Sequence, residues 1–136
     1  MIPERTVEFL IPSRLGHEKI VVNGLAALAY HLDFSTERVD DLKTALAEAI
    51  TNAIEHGNRL NFELDVTVLA HIKEEALVLD VIDQGKQPIP QLSAAPRPRS
   101  DNRGLGMFLI QNLVDEVKVF THPHQNMLQM VLKRAN

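Results

Sequence analysis

The chain has no cysteine among its 136 residues, so it can form neither a disulfide nor a thiolate metal site. It also has no apolar run near the roughly 18 residues that a membrane-spanning helix requires. Its first residues, MIPERTVEFLIPSR, lack the basic region and the following apolar stretch of a signal peptide. We therefore expect a cytoplasmic protein that does not contact a membrane.

A basic excess is also missing, because the formal net charge is −4. This charge argues against direct binding of nucleic acid. Basic residues do cluster locally at Arg97, Arg99 and Arg103, which marks a candidate region for an anionic ligand. The length and the 45% share of hydrophobic residues predict one globular domain over residues 1–136.

The spacing of apolar residues predicts five strands and three helices in the order β-α-α-β-β-α-β-β. The first helix is expected from about residue 15 to residue 32, and the second from an N-cap at Ser35 to about Glu55. Gly57 is expected to end the second helix in a left-handed conformation. The third helix is expected to open at Gly104. The predicted strands lie in RTVEFLIPS, closed by Pro12, and in DVTVLAHI, ALVLDVID, VKVFTH and MLQMVLK.

Strands that neighbour each other in sequence predict an α+β fold, a two-layer α/β sandwich with a mostly antiparallel sheet and helices on one face. The segment before the third helix carries Pro88, Pro90, Pro96 and Pro98, too many prolines for a helix or a central strand. A loop of this length inside a compact domain is typical of a lid or a binding loop.

The segment EAITNAIEHGN closes the second helix and places Glu48 and Asn52 one turn apart, about 40° around the helix axis. Both point away from the apolar stripe that contains Leu42, Leu46 and Ala53. One interpretation is a solvated polar face. The other is a pair of oxygen ligands for a hard cation, with phosphates completing its coordination.

Two further segments carry candidate binding residues. Asp83 ends a strand and is followed by Gly85, which indicates either an Asp-initiated turn or a carboxylate that accepts a hydrogen bond from a ligand amino group. Gly104 and Gly106 lie where the basic loop enters the third helix. One interpretation is a plain helix entry. The other is a phosphate site, because free backbone N–H groups at such a junction attract phosphate, and Arg103 adds a positive charge there.

Together, EAITNAIEHGN, DQG and RGLGMFLIQNLVDEV resemble the N-box, G1 box and G2 box of the GHKL (Bergerat-fold) ATPases. That superfamily includes gyrase, the 90-kDa heat-shock chaperone, histidine kinases and MutL. Within it the chain is most similar to the single-domain anti-sigma-factor serine kinases of bacteria, in length, in the N-box and in the last helix. The resemblance covers essentially the whole chain.

The resemblance implies a role for each matching residue. Glu48 is expected to act as general base toward a serine hydroxyl, and Asn52 to coordinate the Mg²⁺ that bridges the phosphates of ATP. Asp83 is expected to bind the adenine amino group, and Gly85 to let the base approach closely. The residues expected to contact phosphate are Arg103, Gly104, Leu105 and Gly106, with an ATP lid at about 86–103.

The function implied is an anti-sigma factor that is also an ATP-dependent protein serine kinase. Such a kinase sequesters a sigma factor and phosphorylates a serine of a STAS-domain anti-anti-sigma factor, so that partners switch; the family is commonly homodimeric. One residue departs from the superfamily pattern, because Gln87 stands where the G1 box often has a second glycine. The alternative is an ATP-binding module that sequesters its partner with little or no kinase activity.

Overall fold

The structure is a computed structural model that describes residues 4–86, 88–89 and 103–134, apart from the side chains of residues 103 and 104. The order of its helices and strands is the predicted one. The expected lid falls largely on Gln87 and residues 90–102, which lie outside the described residues. The elements are β1 (Arg5–Pro12), α1 (Glu18–His31), α2 (Thr36–Asn52), a π-helical turn (Ala53–Gly57), β2 (Asp65–Ile72), β3 (Ala76–Asp83), α3 (Arg103–Leu113), β4 (Glu116–His122) and β5 (Gln125–Lys133).

The five strands form one sheet in the order β1-β2-β3-β5-β4, and every neighbouring pair is antiparallel. The central strand β3 pairs with β5 in a register that sets Asp83 opposite Asn126. The last residue of β3 and the first residues of β5 therefore lie side by side at one end of these two inner strands. The predicted α+β architecture is confirmed, and the sheet is antiparallel throughout.

Successive side chains along each strand point to opposite faces, so the two faces of the sheet carry different sets of residues. On one face, strand residues are buried in the same apolar core as the buried residues of α1, α2 and α3. That core accounts for the two layers, because each helix buries its apolar stripe against the sheet. Its largest fully buried side chains include Leu25, Leu42, Leu46, Ile50, Leu77, Leu79, Ile110 and Met130.

The other face of the sheet carries a buried carboxylate, Asp80, whose side chain is satisfied by neighbouring strands. His71 Nε2 lies 2.8 Å from Asp80 Oδ2, and Gln129 Nε2 donates to Asp80 Oδ1 at 2.8 Å. These contacts compensate the cost of removing the carboxylate from water. No helix in the described part of the chain is long and apolar enough to cross a membrane.

Helix α1 begins at Glu18, three residues later than predicted, because a turn precedes it. His17 donates its backbone N–H to the Arg14 carbonyl at 3.1 Å, and Gly16 has a φ of 103°. Helix α2 begins as predicted, since the Ser35 side chain accepts a hydrogen bond from the Arg38 N–H at 3.2 Å.

The end of the second helix differs from the prediction. Its α-helical part stops at Asn52, and the next five residues form a π-helical turn that ends at Gly57. Gly57 is not left-handed, so that expectation was wrong; the positive φ angles fall on Arg59 (54°) and Leu60 (61°). Glycine is required at position 57 for space, because a Cβ there would lie 2.9 Å from the Cβ of Asp83.

An ion pair joins α2 to the residue that precedes the edge strand β4. Arg38 donates to Asp115 Oδ2 at 2.7 Å, and the same oxygen accepts the Lys133 backbone N–H at 2.7 Å. Partial burial by itself raises the pKa of Asp115. The hydrogen bonds from Arg38 and Lys133, with the charges of both side chains, outweigh it and lower the pKa below the ordinary 3.8.

We expect Asp115→Asn to lower the free energy of unfolding at pH 7 by about 1 kcal/mol or less, since the pair is partly exposed. A lowered folded-state pKa stabilises the fold above pH 3.8, and this contribution is lost as the pH falls through the folded pKa. Urea unfolding at neutral and acidic pH should therefore show a difference that shrinks in acid. Asp40→Asn, an exposed change on α2, controls for the lost charge; a pH-independent difference would contradict the prediction.

Candidate functional site

A pocket opens between α2 and the centre of the sheet, on the side where β3 ends and β5 begins. It encloses about 240 Å³ including its open mouth, and about 10 Å³ of this can hold the centre of a water molecule. The lining residues are Ala49, Ala53, Val81, Asp83, Ile89 and Leu128.

Asp83 provides the carboxylate of this pocket and is 2% exposed. Its Oδ1 accepts the Gly85 backbone N–H at 2.8 Å and the Asn126 side-chain amide at 3.1 Å. Two donors on one oxygen favour the charged carboxylate and fix its orientation. The Asp-initiated turn is therefore present, and the carboxylate is buried; its hydrogen bond to a ligand amino group stays a prediction.

Two glycines pack together beside that carboxylate. A Cβ on Gly85 would lie 2.6 Å from the carbonyl carbon of Gly57 and 3.0 Å from its Cα. Neither Gly57 nor Gly85 has a positive φ, so the backbone conformation does not require glycine at these positions. Glycine is required because a Cβ would prevent the close approach of the two turns. This contact brings the end of the N-box segment against the G1 segment, as a shared binding site requires.

Glu48 and Asn52 on α2 directly precede Ala49 and Ala53, which line the pocket, but neither is itself a lining residue. Asn52 is only 8% exposed and Glu48 is half-buried, which excludes a fully solvated face. The amide nitrogen of Asn52 is buried and has no hydrogen-bond partner among the described residues. A buried amide nitrogen without a partner is a donor that is available for a bound group or a water molecule.

The first turn of α3 faces Glu48. A Cβ on Gly106 would lie 2.9 Å from Glu48 Cδ and 3.2 Å from Cγ, so glycine makes room for this carboxylate. Because α3 begins at Arg103, the backbone N–H groups of its first four residues have no acceptor within the helix. Leu105 in that turn is 49% exposed. The side chain of Arg103 lies outside the described residues, so its expected phosphate contact stays a prediction.

The sequence did not predict two residues of this site, Asn126 and Ile89. Asn126 occupies an inward-facing position of β5, where Leu128 and Met130 are also buried. A polar residue in that alternation was a usable signal, but the predicted strand started at Met127 and excluded it. Ile89, inside the proline-rich segment, gave no signal, and its burial in the pocket comes from the tertiary structure alone.

Comparison with known proteins identifies the family. The profile of the histidine kinase-like ATPase domain matches residues 11–132. The chain belongs to this ATPase family. The matched range contains Glu48, Asn52, Asp83, Gly85 and Gly106, whose assignment to the N-box, G1 and G2 segments stays a prediction. Membership of the family implies that the chain binds ATP.

Two relatives indicate which branch of this ATPase family the chain resembles. The chain is 31% identical over 127 residues to an anti-sigma F factor of Thermoanaerobacter sp. (strain X514), covering 89% of this chain and 87% of that protein. It is 36% identical over 119 residues to the serine-protein kinase RsbW of Listeria innocua, covering 81% and 76% respectively. The resemblance to the anti-sigma-factor serine kinases is therefore confirmed at the level of family.

A solved structure supports the fold independently. The crystal structure of the RsbU and RsbW domains of a Mycobacterium tuberculosis protein superposes on 96% of this ATPase domain with a TM-score of 0.72 and 16% identity. The match spans 33% of that longer chain. At this identity the likeness concerns the fold alone, and it confirms the expected two-layer Bergerat architecture.

Proposed function

We propose that the chain is an anti-sigma factor and an ATP-dependent protein serine kinase of a partner-switching system. It sequesters a sigma factor, and it phosphorylates a serine of a STAS-domain anti-anti-sigma factor. The proposal includes a cytoplasmic location, a homodimer and one domain over residues 1–136. The observation that carries it is the half-buried carboxylate of Glu48, one helical turn before the buried Asn52 and next to residues that line the proposed ATP pocket.

The base end of ATP is assigned to Asp83 and Gly85. Asp83 presents a buried carboxylate whose orientation is fixed by Gly85 and Asn126. A carboxylate accepts hydrogen bonds only, so it selects a base that carries an exocyclic amino group. The apolar side chains of Val81 and Leu128, with Ala49, suit the faces of a purine ring.

The phosphate end is assigned to Asn52 and to the start of α3. The free backbone N–H groups of Gly104, Leu105 and Gly106 suit phosphate oxygens, and Arg103 is proposed to add its charge. The lid at about 86–103 is proposed to close over ATP, with Ile89 as its described point of contact with the pocket.

The residues present fit a magnesium ion. Asn52 carries an amide oxygen, and amide oxygens are ligands for hard cations. Its buried amide nitrogen, which has no partner among the described residues, is a donor and suits a phosphate oxygen or a water molecule instead. No cluster of three acidic, histidine or cysteine side chains occurs in the described part of the chain. Mg²⁺ takes one or two protein ligands and completes its shell with phosphate and water, so the proposal needs only the amide oxygen of Asn52 beside the phosphates of ATP. The bound ion would neutralise charge on the phosphates.

Glu48 is proposed as the general base. It lies on the same wall as Asn52, one turn earlier, and reaches the first turn of α3 at Gly106. The terminal phosphate of an ATP spanning the pocket lies near this carboxylate. Glu48 would therefore accept the proton of the partner's serine hydroxyl as that oxygen bonds to the γ-phosphorus of ATP, while the bond from this phosphorus to the bridging oxygen breaks and ADP leaves.

The decisive experiment incubates the purified chain with labelled ATP and the STAS-domain protein encoded beside it, with and without Mg²⁺. We expect label on one serine of that protein, located by mass spectrometry, and no label without Mg²⁺. A replacement of the acceptor serine by alanine is the control. ATP binding with partner sequestration but no transfer would support the alternative function, an ATP-binding sequestration module. Gln87, which stands where the G1 box often has a second glycine, favours this alternative.

A further inference from the structure

Asn58 lies immediately after the π-helical turn and is 2% exposed. Its side chain donates from Nδ2 to Ser13 Oγ at 2.7 Å and to the Asp65 carbonyl at 2.9 Å. Its Oδ1 accepts the backbone N–H of Gln84 at 2.7 Å. A backbone N–H only donates and a carbonyl only accepts, so this network determines the orientation of the amide.

The three contacts join segments that are far apart in sequence. Ser13 follows β1, Asp65 opens β2, and Gln84 directly follows Asp83 at the end of β3. Ser13 Oγ in turn donates to the Leu64 carbonyl at 2.6 Å, and the Gln84 side chain accepts the Asp65 N–H at 2.6 Å. The backbone between Asp83 and Gly85 is thereby anchored from outside the pocket.

That short backbone segment decides where the base of ATP sits. The carboxylate of Asp83 is oriented by the N–H of Gly85, and Gly85 packs on Gly57 with no space for a Cβ. A shift of Gln84 by a fraction of an ångström moves both neighbours. Asn58 itself does not line the pocket, so its influence on the ligand passes through Gln84.

We propose that Asn58 is a positioning residue for adenine: its amide oxygen holds the Gln84 N–H and so sets the geometry of Asp83 and Gly85. The inference rests on the proposed ATP-dependent function. Asn58→Ala leaves the partly buried Gln84 N–H without its protein acceptor, and a loss of this kind costs up to about tenfold in an equilibrium that depends on it. The phosphate end, built from Asn52 and α3, keeps its contacts.

The test separates the two ends of the nucleotide. Adenosine and magnesium tripolyphosphate each compete with a fluorescent ATP analogue on the wild-type chain and on Asn58→Ala. We expect the affinity for adenosine to fall about tenfold, the affinity for tripolyphosphate to change less than about twofold, and KM for ATP to rise while kcat stays within about threefold. Asn112→Ala, an exposed asparagine on α3 whose side chain donates to the Phe108 carbonyl, is the matched control.

A second variant distinguishes positioning from general support of the fold. Asn58→Asp keeps an acceptor for Gln84 and loses the donors to Ser13 and Asp65, so adenosine affinity should lie between those of the wild type and Asn58→Ala. If Asn58→Ala does not fold, Asn58→Asp and Ser13→Ala carry the test, with smaller losses for adenosine alone.

Equal weakening of both probes, or no change in either, would overturn the inference, because a purely structural residue does not distinguish the ends of the ligand. A wild-type chain that binds neither adenosine nor tripolyphosphate would instead overturn the proposed ATP-dependent function. The failures of the two proposals are therefore distinguishable.

Discussion

Glu48→Ala should lower phosphoryl transfer to the partner serine by about 100-fold or more, while the affinity for ATP changes less than about threefold. The reason is that a positioned general base contributes about 10²- to 10⁴-fold to such a step, whereas the nucleotide is held by the pocket around Asp83 and by α3. Single-turnover transfer from labelled ATP and calorimetric titration of ATP measure the two quantities separately.

The controls address the other role of this side chain, its packing on Gly106. Glu48→Gln keeps the volume against that glycine and removes the base, so it should lose transfer as Glu48→Ala does. Glu37→Ala, an exposed carboxylate in the first turn of the same helix, should transfer phosphate normally. Transfer at the wild-type rate by either Glu48 variant would remove this residue as the base.

Gly85→Ala should lower the affinity for ATP by about 100-fold and destabilise the fold by about 1–3 kcal/mol. The added Cβ would overlap the backbone of Gly57, and backbone cannot turn aside as a flexible side chain can. The change therefore pushes the G1 turn away from the π-helical turn and displaces Asp83. Calorimetric titration with ATP and urea unfolding measure the two effects.

Gly24→Ala is the matched control for this prediction. The Cβ added at position 24 would lie 2.9 Å from the ring of Phe9, but that half-buried side chain can move. Gly24 is in α1 and does not line the pocket. ATP affinity should be unchanged in this variant. If Gly85→Ala bound ATP as the wild type does, the close approach of the two turns would not be needed for the site.

The sequence predicted the architecture because the physical signals are local. Alternation in the segments around Val68 and Leu79, and the 3.6-residue period through Leu42 and Leu46, are set by which side of the backbone each side chain occupies. Ser35 marked the start of α2 because its hydroxyl satisfies a free backbone N–H. These features need no knowledge of distant residues.

The candidate site was predictable in part. Glu48, Asn52, Asp83 and the glycines stood out through a resemblance that covered the whole chain, and the fold brings the N-box, G1 and G2 segments together. The sequence left open whether the polar face of α2 was solvated. That question depends on packing across elements, and the burial of Asn52 answered it.

By itself, then, the amino-acid sequence determined the order of helices and strands, the two-layer fold and the family. Only the tertiary structure decided why Gly57 must be glycine and where Asn58 and Asn126 act. Each of these depends on a contact between residues more than twenty-five positions apart, such as Gly57 against Asp83 or Asn58 with Gln84. No periodicity within one segment encodes such a contact, because it exists only once the sheet has brought the ends of separate strands together.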